Sequence, residues 1–254
     1  MPDWKDNIYF TLVAPRESGN IGAAARAIKN TGFSNLELVN PPANHTRGHD
    51  LWLACHATDV LKEAAVFDSV DEALRGKAVV VGTSRRIGKK RGLFLSLKEG
   101  AAEIVKAAGR NRVAILFGRE DRGLTNEEVE RCGFLVYIPT AAEAPSLNLA
   151  QAVLLVAYEL ACQRLETESP RFVPYEEMQP LFEHIRKTLR LLGYIPRGDR
   201  NLEERIMRNL RHLFGRSGLT PWEAGMIHGI CSRVERVIAE GGRPGANTGG
   251  FDVK

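Results

Sequence analysis

The sequence predicts an α/β domain with a parallel sheet, followed by a small all-helical extension, and three observations carry that reading. Short, almost continuously apolar runs recur through residues 8–139, as expected of strands covered on both faces. Segments of helical periodicity alternate with them. After residue 165 the strand-like runs stop and only helical patterns remain.

In chain order, IYFTLVA (8–14) is read as a strand, an Ala-rich segment from Asn20 to Thr31 as a helix, and LELV (36–39) as the next strand. AVVVG (78–82), VAILFG (113–118) and FLVYIP (134–139) follow as buried strands. Helices are expected near Asp71–Arg75, Gly100–Ala108 and Thr125–Arg131, the last opened by a Thr125/Glu128 capping box. Residues 148–165 form the most persuasive helix, with Leu149, Val153, Val156 and Leu160 on one face and Leu154, Leu155 and Ala161 wrapping most of the rest. A helix so apolar around its circumference is expected to be buried on several sides, under the sheet or in a subunit interface.

Residues 1–165 thus read as one domain, and the polar, proline-bearing stretch 166–177 as a linker. The extension, 178–240, is expected to hold three helices near 175–192, 200–214 and 220–239, the third with Thr220 as N-cap and Pro221 at its first position. The tail 241–254 is expected to be disordered.

The composition, 44% hydrophobic and 26% charged over 254 residues, is that of a globular protein. No apolar run reaches the ~18 residues of a membrane span, and Met1 to Asn7 do not open a signal peptide, so a cytoplasmic location is expected. Cys55, Cys132, Cys162 and Cys231 lack metal-ligand spacing and read as scattered buried thiols, with no metal expected. Net charge is only +4, but Arg85, Arg86, Lys89, Lys90, Arg91 and Lys98 cluster without an acid between Gly82 and Lys98. Such a cluster is either a solvated loop or a means of capturing a phosphate backbone.

Three segments sit where a parallel sheet places ligands, at the carboxyl ends of strands. PRESGNIGAAARAIKNTG (15–32) is a glycine-bearing turn entering a helix, but it lacks both G-x-G-x-x-G and the phosphate-loop pattern. Asn20 there reads as an N-cap or as a site residue, and Arg26 as a cation on an otherwise small, apolar helix. In LFGREDRGLTNEEV (116–129) a strand ends at Gly118, which would permit close ligand approach, and Gly123 suits a positive φ. In IPTAAEAPSLNLAQAV (138–153) a loop of small residues enters the apolar helix, with Ser146 or Asn148 as its cap; such a loop suits adenine or ribose better than a triphosphate.

Together, N-I-G-A-A-A-R-A (20–27), L-F-G-R-E-D-R-G-L-T-N-E-E (116–128) and S-L-N-L-A-Q-A-V (146–153), supported by V-G-T-S-R (81–85), resemble the SpoU/TrmH group of SPOUT RNA methyltransferases and, within it, the TrmJ-type tRNA 2′-O-methyltransferases. The resemblance covers residues 7–165 in order and spacing. It implies a C-terminal trefoil knot, a homodimer with the active site at the subunit interface, and S-adenosylmethionine held by Thr83, Ser84, Arg85, Gly118, Ile138, Pro145, Ser146 and Leu147. It also implies a catalytic set of Arg26, Asn20, Glu120 and Asn148. Arg85 departs from the small residue that relatives often carry, and it points either at the cofactor or into the basic loop.

RNA binding is expected of Arg86, Lys89, Lys90 and Arg91 and of the extension; residues 171–240, the end of the linker and the extension, carry 12 Lys/Arg against 9 Asp/Glu. Its arginines share faces, although neighbouring glutamates could pair with them. Because a guanidinium stays protonated in proteins, Arg26 is expected to hold the phosphate beside the target ribose and to stabilise the developing alkoxide, without metal. The resemblance to the TrmJ-type group implies that the substrate is the anticodon loop of tRNA, at pyrimidine 32. Ribosomal RNA, a non-catalytic RNA-binding protein of the same fold and a nucleotide-dependent doubly wound enzyme stand as alternatives.

Overall fold

The computed structural model describes residues 3–43, 53–85, 93–143, 146–195 and 200–240. Seven strands form one sheet: β1 (Ile8–Val13), β2 (Asn35–Val39), β3 (Ala65–Phe67), β4 (Val79–Thr83), β5 (Leu93–Ser96), β6 (Val113–Phe117) and β7 (Phe134–Tyr137). Their order is β3-β2-β1-β6-β4-β7-β5, and every neighbouring pair is parallel. In the registers Phe10↔Ile115 and Val80↔Ala114 the central strand β6 pairs on both sides.

Strand β6 explains why these runs read as continuously apolar. Ile115 and Phe117 belong to the core on one face of the sheet, Ala114 and Leu116 to the core on the other, and all four are buried. The first face is covered by α1 (Ser18–Asn30), α2 (Thr58–Lys62), α4 (Leu97–Ala108) and α6 (Leu149–Cys162). The second carries α3 (Val70–Ala73) and α5 (Asn126–Val129). Ala24 and Ala25 are fully buried on α1, and their small size lets it lie close to α6.

Sequence and structure differ at several points. Strands β3 and β5 were not legible: β3 is three residues long with Val66 half exposed, and β5 is four residues at the far edge of the sheet. Helix α4 starts at Leu97 rather than Gly100, because Ser96 and Glu99 form a capping box. Helix α6 is buried through Leu149, Val153, Val156, Ala157 and Leu160, while Leu154, Leu155 and Tyr158 are exposed in the single chain. Two cysteines, Cys132 and Cys231, are buried, but Cys55 and Cys162 are exposed.

The extension consists of α7 (Tyr175–Leu191), α8 (Arg200–Ser217) and α9 (Pro221–Ala239), with Thr220 and Glu223 forming the expected cap. Leu181, Ile185, Ala224 and Cys231 make its small core. The stretch before α7 is tied down: Phe172 N–H donates to Asn111 Oδ1 at 2.7 Å and Tyr175 N–H to the Lys77 carbonyl at 2.8 Å. Helix α8 meets the sheet where Gly133 and Gly215 touch; a Cβ on Gly133 would lie 2.1 Å from the Gly215 carbonyl oxygen. The tail 241–254, Pro145 and the basic residues Arg86, Lys89, Lys90 and Arg91 lie outside the described residues.

Candidate active site

The carboxyl ends of β4, β6 and β7 open into a cavity lined by Thr83, Ser84 and Arg85, by Gly118, and by Ile138, Ser146 and Leu147. Every described residue of the expected cofactor set therefore faces one space. The strand ends are cross-tied: Thr83 Oγ1 donates to the Leu116 carbonyl at 2.9 Å, and Ser84 N–H to the Val136 carbonyl at 3.0 Å.

After β6 the chain doubles back tightly, with Gly123 N–H donating to the Arg119 carbonyl at 2.8 Å and Gly123 at φ +70°. A Cβ on Gly118 would lie 2.1 Å from the carbonyl carbon of Gly123, so the turn's own backbone demands this glycine. Arg119 forms a two-pronged ion pair with Glu128 at 2.9 and 3.0 Å, which fixes the turn to the capping box of α5. Its charge is thereby neutralised beside the cavity.

Glu120 stands at the tip of this turn and receives three donors. Its carboxylate accepts from Arg16 N–H at 3.0 Å, Glu17 N–H at 3.3 Å and Asn20 Nδ2 at 2.8 Å. Burial raises its pKa, but the Asn20 amide and the backbone N–H groups outweigh that and hold it below the usual carboxylate value. Of the two readings of Asn20, the N-cap does not hold: α1 begins at Ser18, its N-cap Glu17 has no side-chain cap bond, and Glu120 supplies the anion at that end.

The row continues to the third segment. Asn20 Oδ1 accepts from Asn148 Nδ2 at 2.8 Å, while Asn148 Oδ1 caps α6 by accepting from Ala150 and Gln151 N–H at 2.9 and 3.4 Å. Asn148 is thus both a cap and a link to Asn20. Gln151 completes the box at 3.2 Å; the N-x-x-Q spacing was readable by the rule that identified Thr125 and Glu128. Arg16, paired with Asp121 at 2.9 Å, is a further residue of this site that no local pattern announced.

A model of the SpoU rRNA Methylase family matches residues 7–158. The chain belongs to this family. A second model, the C-terminal domain of the tRNA methyltransferase TrmJ, matches residues 176–243. The chain is 38% identical over 248 residues to the tRNA (cytidine/uridine/adenosine-2′-O-)-methyltransferase TrmJ of Pseudomonas aeruginosa, spanning 91% of this chain and 95% of that one. It is 36% identical to the tRNA (cytidine/uridine-2′-O-)-methyltransferase TrmJ of Escherichia coli K12 over 91% of this chain and 96% of that one. The crystal structure of TrmJ from Z. mobilis superposes with a TM-score of 0.75 at 32% identity, covering 89% of this chain and 98% of the other.

In this SpoU-family chain Arg26 stands apart from the Asn20, Glu120 and Asn148 row. It is exposed on α1, with Nη1 3.5 Å from Cys55 Sγ. Arg85 is also exposed, at the cavity wall. Several basic residues of the extension are paired with carboxylates instead: Arg186 and Arg190 with Glu203 at 3.2 and 2.6 Å and Lys187 with Glu235 at 2.8 Å within the extension, and Arg208 with Glu130 of the sheet domain at 3.5 Å. None of the described helices is long and apolar enough to cross a membrane, and no metal-binding cluster occurs among the described residues.

Proposed function

We infer that this chain is an S-adenosylmethionine-dependent tRNA 2′-O-ribose methyltransferase. The observation that carries the reading is the hydrogen-bonded row Glu120–Asn20–Asn148, in which three distant segments meet beside the strand-end cavity. The likeness to tRNA 2′-O-methyltransferases over nine-tenths of the chain supports it.

The cavity suits the cofactor's chemistry. Its walls combine apolar side chains such as Ile138, Leu147 and Leu149 with hydroxyl and backbone groups; Arg119 is neutralised by Glu128, and the other two arginines of the lining, Arg85 and Arg122, are matched in number by the carboxylates Glu120 and Asp121. Such a lining favours a neutral, aromatic nucleoside over a polyphosphate. Thr83, Ser84, Arg85, Gly118, Ile138, Ser146 and Leu147 would hold the cofactor, joined by Pro145. When bound, it supplies an electrophilic methyl group on sulfur.

The chain's own part is positioning. The Asn20 and Asn148 amides and the Glu120 carboxylate hold one another by hydrogen bonds beside the cavity, a pre-arranged polar edge for the substrate. Arg26 holds the phosphate beside the target ribose and stabilises the alkoxide that develops on the 2′-oxygen, as a fixed cation rather than a base. Arg86, Lys89, Lys90 and Arg91 add to the RNA surface.

The finer reading follows the same resemblance. The target is pyrimidine 32 of the anticodon loop, the sheet's C-terminal part is threaded as a trefoil knot, and the protein acts as a cytoplasmic homodimer. The exposed Leu154, Leu155 and Tyr158 of α6 give a dimer an apolar face to bury.

Incubation with labelled S-adenosylmethionine and unmodified tRNA or ribosomal RNA, followed by nuclease mapping and an alkali-resistance check, tests the reading. An alkali-resistant dinucleotide at one anticodon-loop pyrimidine is expected. Label on ribosomal RNA alone overturns the substrate, and no transfer to either RNA overturns the activity.

A further inference from the structure

A second cavity, of about 590 Å³, opens between the sheet and the extension at the opposite ends of the same strands, where Ala78, Val80 and Gly133 face it. Val80 and Ala78 stand three and five residues before Thr83, about 10 and 16 Å away at ~3.3 Å per residue. The cavity volume is in the range of sites that take small organic ligands.

The inner wall is apolar and aromatic. Phe182 of α7 and Phe214 of α8 are stacked with centroids 6.1 Å apart, Met178 lies beside them, and the Arg211 guanidinium sits 5.4 Å over the Phe182 ring. Each acid at the cavity is held by a partner: Asp71 by Arg131 at 2.6 Å and the Tyr175 hydroxyl at 2.5 Å, Glu176 by Gly76 N–H at 2.8 Å, Glu130 by Arg208 at 3.5 Å, and Glu127 by the Thr125 hydroxyl. Arg75 and Arg211 have no carboxylate partner among the described residues.

An aromatic wall beside two uncompensated guanidinium groups suits a planar ring that carries an anion. Unpaired bases stack on aromatic rings and guanidinium planes, and the arginine fork fits phosphate. We propose that this cleft is a second nucleotide-binding site, taking a base against the part-exposed Phe214 and the Arg211 plane that covers the buried Phe182, with its phosphate on Arg75 and Arg211. The preferred source, an unpaired nucleotide of the substrate RNA, rests on the function proposed above; a free mononucleotide offers the same chemistry.

The test compares wild type, Arg75→Glu, Arg211→Glu and Met178→Trp, which fills the cavity without changing charge. Calorimetric titration with cytidine, uridine and adenosine monophosphates is paired with the KM for tRNA, and thermal melts check folding. Gln179→Phe replaces Met178→Trp if that variant does not fold. About tenfold weaker mononucleotide binding and an about tenfold higher tRNA KM in all three variants, with unchanged S-adenosylmethionine affinity, is expected and assigns the RNA as source. Weakened mononucleotide binding with unchanged tRNA KM supports the site and assigns a free nucleotide. If the cavity-filling variant moves neither readout, the proposal is overturned, whatever the charge reversals do. The mononucleotide titration needs no methyl transfer, so a wild type that methylates no RNA sinks the proposed function and leaves this result readable.

Discussion

Asn148 donates its side-chain amide to Asn20 at 2.8 Å across 128 residues of chain, and Asn20 in turn donates to Glu120 at 2.8 Å. Asn20 is 8% exposed and uses both ends of its amide, so it is the joint between the start of α1, the turn after β6 and the cap of α6. Three segments that are unremarkable singly become one rigid rim.

Asn20→Ala removes that joint. It leaves the Asn148 amide and the Glu120 carboxylate each short of a partner, which is expected to cost about 1–3 kcal/mol and to lower methyl transfer. Asn148 separates two roles: Asn148→Asp keeps the α6 cap but turns a donor into an acceptor facing Asn20, whereas Asn148→Ala loses both and about 0.5–2 kcal/mol of capping. Thermal melts with single-turnover rates check this. Wild-type activity in Asn148→Asp would remove the link from the mechanism.

Arg26 lies outside the rim and is exposed, so Arg26→Ala is expected to leave the melting midpoint nearly unchanged. Methyl transfer is expected to fall by roughly two or more orders of magnitude, as for loss of a group that stabilises developing charge. S-adenosylmethionine affinity, read by calorimetry, should stay close to wild type. Loss of both would contradict the assigned role.

Glu120 predicts an acid-side dependence of stability. Burial pushes its pKa up, but the Asn20 amide and backbone donors push it down further, to a net value below 4.5. A carboxylate depressed on folding stabilises the fold above its unfolded pKa, and that contribution disappears as pH falls through the folded value. The melting midpoints of wild type and Glu120→Gln are therefore expected to differ at pH 7 and to converge below about pH 4.5. A gap that stays constant to pH 3 would contradict the argument.

Glu37 and Lys77 form an ion pair that is 4% and 5% exposed, with Thr11 Oγ1 donating to Glu37 at 2.9 Å and Lys77 lying 4.4 Å over the Tyr9 ring. Lys77→Met strands a buried carboxylate and is expected to cost about 3–5 kcal/mol. Lys77→Met with Glu37→Gln keeps the Thr11 bond, removes the orphaned charge and should recover most of the loss in urea unfolding. Equal losses in the single and double variants would show that packing, not charge, decides the outcome.

What the sequence by itself determined is local or nearly so. Two-sided burial marked β1, β2, β4, β6 and β7, because a strand covered on both faces must be apolar at successive positions. Thr125 with Glu128 and Thr220 with Pro221 marked helix starts, because caps are satisfied within one turn. The three motifs pointed to the family through order and spacing alone. Edge strands β3 and β5 escaped, since short, part-exposed segments carry little periodic signal.

Only the tertiary structure decided which of these residues meet. It decided between the two readings of Asn20 by giving it two long-range partners instead of a cap, and it paired basic residues of the extension with Glu203, Glu235 and Glu130. It also brought Arg75 and Arg211 into the lining of one cleft that no sequence pattern announces. Caps and periodicity are settled between residues a few positions apart, whereas a hydrogen bond across 100 or 128 residues exists only once the sheet has fixed where both ends stand.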